Sequence, residues 1–441
     1  MNKLVRTGAI ALSFALVSGG ASAAKWNWDK TDGGFLNEPS NWSDGGSGKP
    51  SSIDPADVYR IRATQEGDAE LKLNGEFRVN EFDFGYSTYE VNGTLNLGKD
   101  NTIVCENTFD VVGKAVGRLV SGTISVLGDA AHIGRSNGGD GETRFILDGP
   151  DAKLTASEVS GRYVIIGYGF KTNSCLEVIN GAKVDSARTI LVGYDSTPKQ
   201  NTLLISGQGS EVATQKDVEL GNNQSSCNNV TVTDGAKLSC RTLYIGSNAQ
   251  ATSNVVTVAN GATISVVGAP GKGNVVHLGK NSQLGNEFVV SNAVVDLLTP
   301  DIELYHPSQY SNATIRVAGT DTCLTLSDHN DSIFHATQRL VLDISGPQLQ
   351  DAMVEGKSFT FEEGSKLYIT SSVDLTKVPS FEVVAIANRN DTTLSTIPEG
   401  VVEIDPECAD QLEVVLETRS SKLIVRHTKK AQVLGTQVYF H

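Results

Sequence analysis

Leu176-Glu-Val178-Ile-Asn180-Gly181-Ala182-Lys183-Val184 recurs, barely altered, as Val230-Thr-Val232-Thr-Asp234-Gly235-Ala236-Lys237-Leu238 and Val256-Thr-Val258-Ala-Asn260-Gly261-Ala262-Thr263-Ile264. Each copy alternates apolar and polar residues, as a strand with one buried face must. Each then meets an Asn-Gly or Asp-Gly pair, residue types that tolerate the left-handed backbone of a corner. A second strand follows. A hydrophobic-x-hydrophobic-Gly stop closes each unit: Ile190-Leu-Val192-Gly193, Leu243-Tyr-Ile245-Gly246 and Val276-His-Leu278-Gly279. A unit this small cannot bury its own apolar face, so copies must stack on one another.

Working outward, the stop glycines Gly134, Gly167, Gly193, Gly221, Gly246 and Gly279 are spaced by 33, 26, 28, 25 and 33 residues. Two units carry a longer corner, at Asp148-Gly149-Pro-Asp151 and Gly207-Gln-Gly209-Ser210. No window has a helical period, and Val, Ile, Leu and Thr dominate the apolar runs. The expected fold is all-β: a right-handed parallel β-helix (a β-solenoid) with about nine coils between residues 58 and 298. At about 4.8 Å per layer these coils would make a rod roughly 40 to 45 Å long. Asn180, Asp234 and Asn260 share a phase and should hydrogen-bond along the stack. Length variation after the stop glycines should place loops on one side, the natural binding side.

The ends differ. Residues 24–57 hold all three tryptophans, Trp26, Trp28 and Trp42. They read as a cap that plugs the open end, with a sugar-stacking platform as the functional alternative. Residues 299–441 read as a β-rich C-terminal cap or further coils, closed by a hairpin from Leu412–Leu416 and Lys422–Arg426 that shields the last edge. Residues 1–23 have the pattern of a secretory signal peptide: Lys3 and Arg6, a short apolar run from Gly8 to Val17, and Ala21-Ser22-Ala23 before the cleavage point. The run is too short to span a bilayer.

Ser206-Gly207-Gln-Gly209-Ser210-Glu-Val212, Val178-Ile-Asn180-Gly181-Ala182 and the stop Val218-Glu-Leu220-Gly221 resemble the repeat associated with autotransporter passengers and PEP-CTERM proteins of secreted bacterial origin. Asn41-Trp42 followed by Gly45-Gly46, Pro50 and Asp54 is similar to the leader of such proteins. The likeness covers roughly residues 24 to 300 and implies a secreted or cell-surface β-helix. Neither a translocating barrel nor a Pro-Glu-Pro sorting tail is expected in this chain.

The formal charge of −15 becomes −17 without Lys3 and Arg6. That acidity disfavours nucleic acid, which attracts basic stripes, and no later run is long enough for a membrane span. The six cysteines form no CxxC pair, which disfavours zinc or a redox motif. An exported chain admits disulfides; Cys323 with Cys408 is the pairing to expect, against buried thiols as the alternative.

Chemistry-bearing motifs are sparse. Gly134-Arg135-Ser136-Asn137-Gly138 matches G-x-S-x-G but has no helix after it, so it reads as a loop. Gly138-Gly139-Asp140-Gly141-Glu142-Thr143 is one imperfect copy of a calcium β-roll turn, and Asp328-His329-Asn330-Asp331 reads as a solvated turn. Asp148 and Asp151 flank a turn and are the candidate acid/base or binding pair. His132 and His277 share a phase but lie five coils apart, roughly 24 Å at about 4.8 Å per layer. The expectation is therefore a non-catalytic structural or adhesive surface rod, with no cofactor unless calcium. Its expected partners are glycans, host or cell-surface proteins, or copies of itself. The alternative is a polysaccharide lyase or glycoside hydrolase on the same scaffold.

Overall fold

The computed structural model describes residues 23–428, apart from residues 47, 66–68, 86–89, 136–141, 158–162, 170–172, 195–199, 248–249, 268–273, 280–284, 298–299, 305–312, 327–331, 389–396 and 418–420. The signal-peptide reading, the calcium turn at 138–141 and the cluster 328–331 fall wholly or largely outside the described residues.

The chain winds as a parallel β-helix with three faces per coil. In one coil Ser174–Ile179 lies on face one, Lys183–Ser186 on face two and Thr189–Tyr194 on face three. The next coil repeats this with Thr202–Ser206, Glu211–Thr214 and Asp217–Leu220, each pairing in parallel with its counterpart. Between residues 70 and 291 face one carries nine strands, beginning at Glu70, Glu90, Lys114, Thr143, Ser174, Thr202, Asn229, Val255 and Glu287. The coils do not stop there. Thr314–Ala318, Arg339–Asp343, Lys366–Thr370 and Val402–Ile404 extend face one.

Alternation builds the core. On face one Leu176 and Val178, Leu203 and Ile205, Val230 and Val232, and Val256 and Val258 all point inward and are essentially solvent-free. Each such side chain contributes about 1.5–3 kcal/mol relative to exposure. The corner after face one needs a left-handed residue. Asn180, Asp234, Asn260 and Asn292 supply it, with φ between 48° and 56°, and Gly207 does so at 91°. Around that corner Asn180 Nδ2 donates to Asp148 Oδ1 at 2.8 Å, Asn260 Nδ2 to Asp234 Oδ1 at 3.2 Å, and Ser206 Oγ to Asp234 Oδ2 at 2.9 Å.

A second ladder lies inside the corner between faces three and one. Asn201, Asn228, Asn254 and Asn286 precede successive face-one strands and are 0–2% exposed. Each Nδ2 donates to the next Oδ1, at 3.0, 2.8 and 3.1 Å. The backbone N–H of each donor residue reaches the same oxygen, at 3.2, 3.1 and 3.0 Å. The stop glycines sit against this ladder. A Cβ on Gly193 would stand 2.1 Å from Ser225 Oγ and 2.6 Å from Asn228 Nδ2. The stop is glycine because the ladder occupies that space, besides its positive φ of 78°.

The caps follow from composition. Lys25–Trp28 already pairs with Val58–Ile61 as a strand of face three. Trp42 packs edge-on to Trp28 and Tyr59 and stacks on Phe77. Phe82, Phe109 and Phe145 continue the aromatic column into the core. At the far end Leu412–Glu417 and Lys422–His427 form an antiparallel hairpin that also pairs with Phe381–Asn388. Two expectations need correction. Extra length falls not only after the stop glycines but also between faces two and three, after Ala156 and after Val266. The six cysteines stand as thiols, so the Cys323–Cys408 bond is not formed. Burial pushes the Cys240 thiol up to about 12, so it stays protonated and inert.

Candidate functional site

The outward positions of face three form one row through the coils: Asn27, Arg60, Asp83, Asp110, His132, Ile165, Leu191, Glu219, Tyr244 and His277 are successive register partners. The local sequence explains the placement. Tyr59-Arg60-Ile61, Phe82-Asp83-Phe84, Phe109-Asp110-Val111 and Ala131-His132-Ile133 each set one polar residue between two inward apolar ones. Parallel pairing then stacks the polar residues one layer apart, about 4.8 Å.

The result is a run of titratable groups along adjacent coils. Arg60 Nε donates to Asp83 Oδ2 at 2.6 Å. Asp110 receives His132 Nδ1 on one oxygen and Arg135 Nη1 on the other, both at 2.6 Å. Asp83, Asp110 and His132 are 6%, 2% and 6% exposed. Burial, with the Asp110 charge facing it from the next coil, pushes the Asp83 carboxyl up to about 7 against the pull of Arg60. Asp83 Oδ1 is buried without a hydrogen-bond partner. Two neighbouring buried carboxyls beside an imidazole are the raw material of an acid/base pair. Beside them Tyr168 packs against His132 and stacks on Tyr194 at 5.7 Å.

The residues singled out from sequence lie elsewhere. Trp28 and Trp42 are wholly buried, so they present no ring to a sugar; they fill the cap instead. Trp26 is partly buried and its Nε1 donates to Asp57 Oδ2 at 2.7 Å. Asp148 is bonded to Asn180 and ion-paired with Arg118. Burial works against its ionisation, but the Asn180 amide and the Arg118 guanidinium together hold its carboxyl below the usual range. A carboxyl so held cannot serve as a proton donor near neutral pH. Asp151 is exposed on the same turn, and its carbonyl accepts from Gly122. The turn glycines Gly134, Gly167, Gly181, Gly193, Gly221, Gly235, Gly246, Gly261 and Gly279 all have positive φ, as corner residues require. His277 stacks on Tyr244 at 4.4 Å, far from His132.

Among the described residues no group of three or more His, Cys, Asp and Glu is placed to hold a metal ion. No helix among them is long and apolar enough to cross a membrane. No protein-family model, curated protein or solved structure matches the chain.

Proposed function

We propose that this chain is an exported, non-catalytic rod that acts as a structural or adhesive element at the cell surface. One observation carries the reading: outward-facing charges are engaged with one another across coils. Arg144 pairs with Glu177, Lys153 with Asp185, Lys183 with Glu211 and Arg241 with Asp217. Each pair joins neighbouring layers. Such pairs add little stability singly, but in rows they oppose register slips. The N-terminal pattern and the repeat resemblance support export by the same proposal. The test is fractionation of the producing cells with protease shaving. The protein should be found in the envelope or medium and be shaved from intact cells. Recovery only from the cytoplasm would remove the reading.

A second reading, a glycan-cleaving enzyme, has one observation in its favour: the Asp83–Asp110 pair with His132. Against it, all three side chains are almost wholly covered, with Asp83 held by Arg60 and Asp110 by His132 and Arg135. Incubation with plant, algal and host polysaccharides, with assays for new reducing ends and unsaturated uronates, separates the two. Turnover lost in Asp83→Asn would establish the enzyme; no turnover on any polymer agrees with the rod.

A further inference from the structure

Face one carries a notch near its C-terminal end. Along one outward row Arg316 pairs with Val341, Val341 with Tyr368 and Tyr368 with Glu403. Long side chains thus flank a short valine, which is only 5% exposed and forms the floor. In the adjoining row Arg339 pairs with Lys366. These six residues line an open notch of about 360 Å³. That is the lower end of the roughly 300–1,000 Å³ usual for small-ligand sites, enough for a short stretch of sugar.

The charges in the notch are unequal in their commitments. Arg316 Nε is held by Glu287 Oε1 at 2.8 Å. Lys366 is paired with Glu403, and its Nζ also donates to the Gly400 carbonyl at 3.2 Å. The Arg339 guanidinium is exposed and makes no hydrogen bond or ion pair among the described residues. Tyr368, half-buried between Val341 and Glu403 in the row, lines the notch as a wall. Three cations lining one notch stand out on a chain of net charge −15.

We propose that this notch binds a uronic acid unit of an acidic polysaccharide. The planar fork of Arg339 matches a carboxylate in two-point geometry. The Tyr368 ring offers a flat apolar surface to the C–H face of a sugar. Glu403 offers acceptors to sugar hydroxyls, and its negative charge, with that of the whole chain, works against ligands of high charge density such as nucleic acid. The inference goes beyond the rod reading, which needs no ligand here, and its failure would leave that reading standing.

The test is calorimetric titration of the full chain with a defined oligogalacturonate, with neutral oligogalactose and inorganic phosphate as comparison probes. Binding of the oligogalacturonate alone is expected, weakening as salt rises. Arg339→Ala, at an exposed position, should lower the affinity at least tenfold with an unchanged circular dichroism spectrum. Arg339→Lys should recover only part of it, since charge remains and the fork does not. Tyr368→Ala should weaken the oligogalacturonate more than any phosphate binding. No binding up to millimolar concentration would overturn the proposal. So would equal affinity for phosphate, equal affinity for oligogalactose, or indifference to Arg339→Ala.

Discussion

Replacing Asn228 tests the inner ladder directly. Its Oδ1 accepts two bonds from Asn201, from the backbone N–H at 3.2 Å and from Nδ2 at 3.0 Å. Its own Nδ2 donates to Asn254 Oδ1 at 2.8 Å and Ser225 Oγ at 2.9 Å. All of this is shut away from solvent. Asn228→Leu is close to isosteric, so it leaves no room for a water, yet it supplies no acceptor. Two buried donors on Asn201 are then orphaned, at about 1–3 kcal/mol each. The expected loss is about 2–6 kcal/mol, or a factor of roughly 30 to 10⁴ in the unfolding equilibrium. Asn228→Ala should cost less, because the vacated space is lined by polar groups and can take a water. The exposed corner gives the contrast. Asn260→Gly keeps the left-handed backbone and loses two long bonds of 3.2 Å, so it should stay within about 0.5 kcal/mol. Urea unfolding gives the free energies. Hydrogen exchange locates the damage, because a stacked repeat can open locally rather than all at once. A loss below about 1 kcal/mol for Asn228→Leu would refute the ladder as a source of stability.

Three further outcomes follow from other residues. Gly193→Ala must meet both a positive φ and the clash with Ser225 and Asn228, whereas Gly261→Ala meets only its φ of 72° with nothing within 4 Å; the first should cost about 1–3 kcal/mol more than the second in urea unfolding. Arg188, 3% exposed, donates to the carbonyls of Leu127, Gly128, Asp129 and Ser157 on earlier coils; Arg188→Met leaves buried carbonyls unmet and should lower the urea midpoint steeply, with Arg188→Lys intermediate. The Asp83 carboxyl sits at about 7 in the fold but near 3.9 when unfolded. Between those values the folded chain holds a proton that the unfolded chain lacks, so this group makes stability fall as pH rises from about 4 to 7 and level off above. Asp83→Asn should flatten that slope in unfolding curves taken across the range; an unchanged slope would place the origin elsewhere.

Local signals reached the architecture because each corner states its own requirement. Asn180-Gly181 and Asp234-Gly235 announce left-handed backbone within a few residues, and the alternation before them states which side chains go inward. Past residue 299 the corner pairs change, so the repeat fades to the eye. The alternation survives in Ile315-Arg-Val317, Leu340-Val-Leu342 and Leu367-Tyr-Ile369, all buried at the apolar positions, and it was the better guide to how far the coils run. The inner ladder left a trace too. Asn201, Asn228, Asn254 and Asn286 each stand immediately before a face-one strand, but an asparagine before a strand is the commonplace of any turn. Only stacking distinguishes a buried ladder from four solvated corners.

The chemistry was harder to see for a related reason. Asp148 and Asp151 drew notice because they are neighbours in sequence, yet in a coil residues three apart on a turn do not share a row. Asp83 and Asp110, 27 residues apart, face each other directly, as do Arg339 and Lys366 at the same separation. In a three-faced helix the unit of chemical proximity is therefore the coil, not the segment. Coil length is not constant: Val255 to Glu287 takes 32 residues, and Thr314 to Arg339 takes 25. A fixed period would have misaligned the rows within two coils. The stop glycines and the pre-strand asparagines restore the phase, since both are pinned to the same inner corner. Aligning the chain on the stop glycines would place Asp83, two before Gly85, and His132, two before Gly134, in one column; Ala313, Gln338 and Ser365 stand where the asparagines would be, so the Arg316, Val341 and Tyr368 column follows from the inward alternation alone.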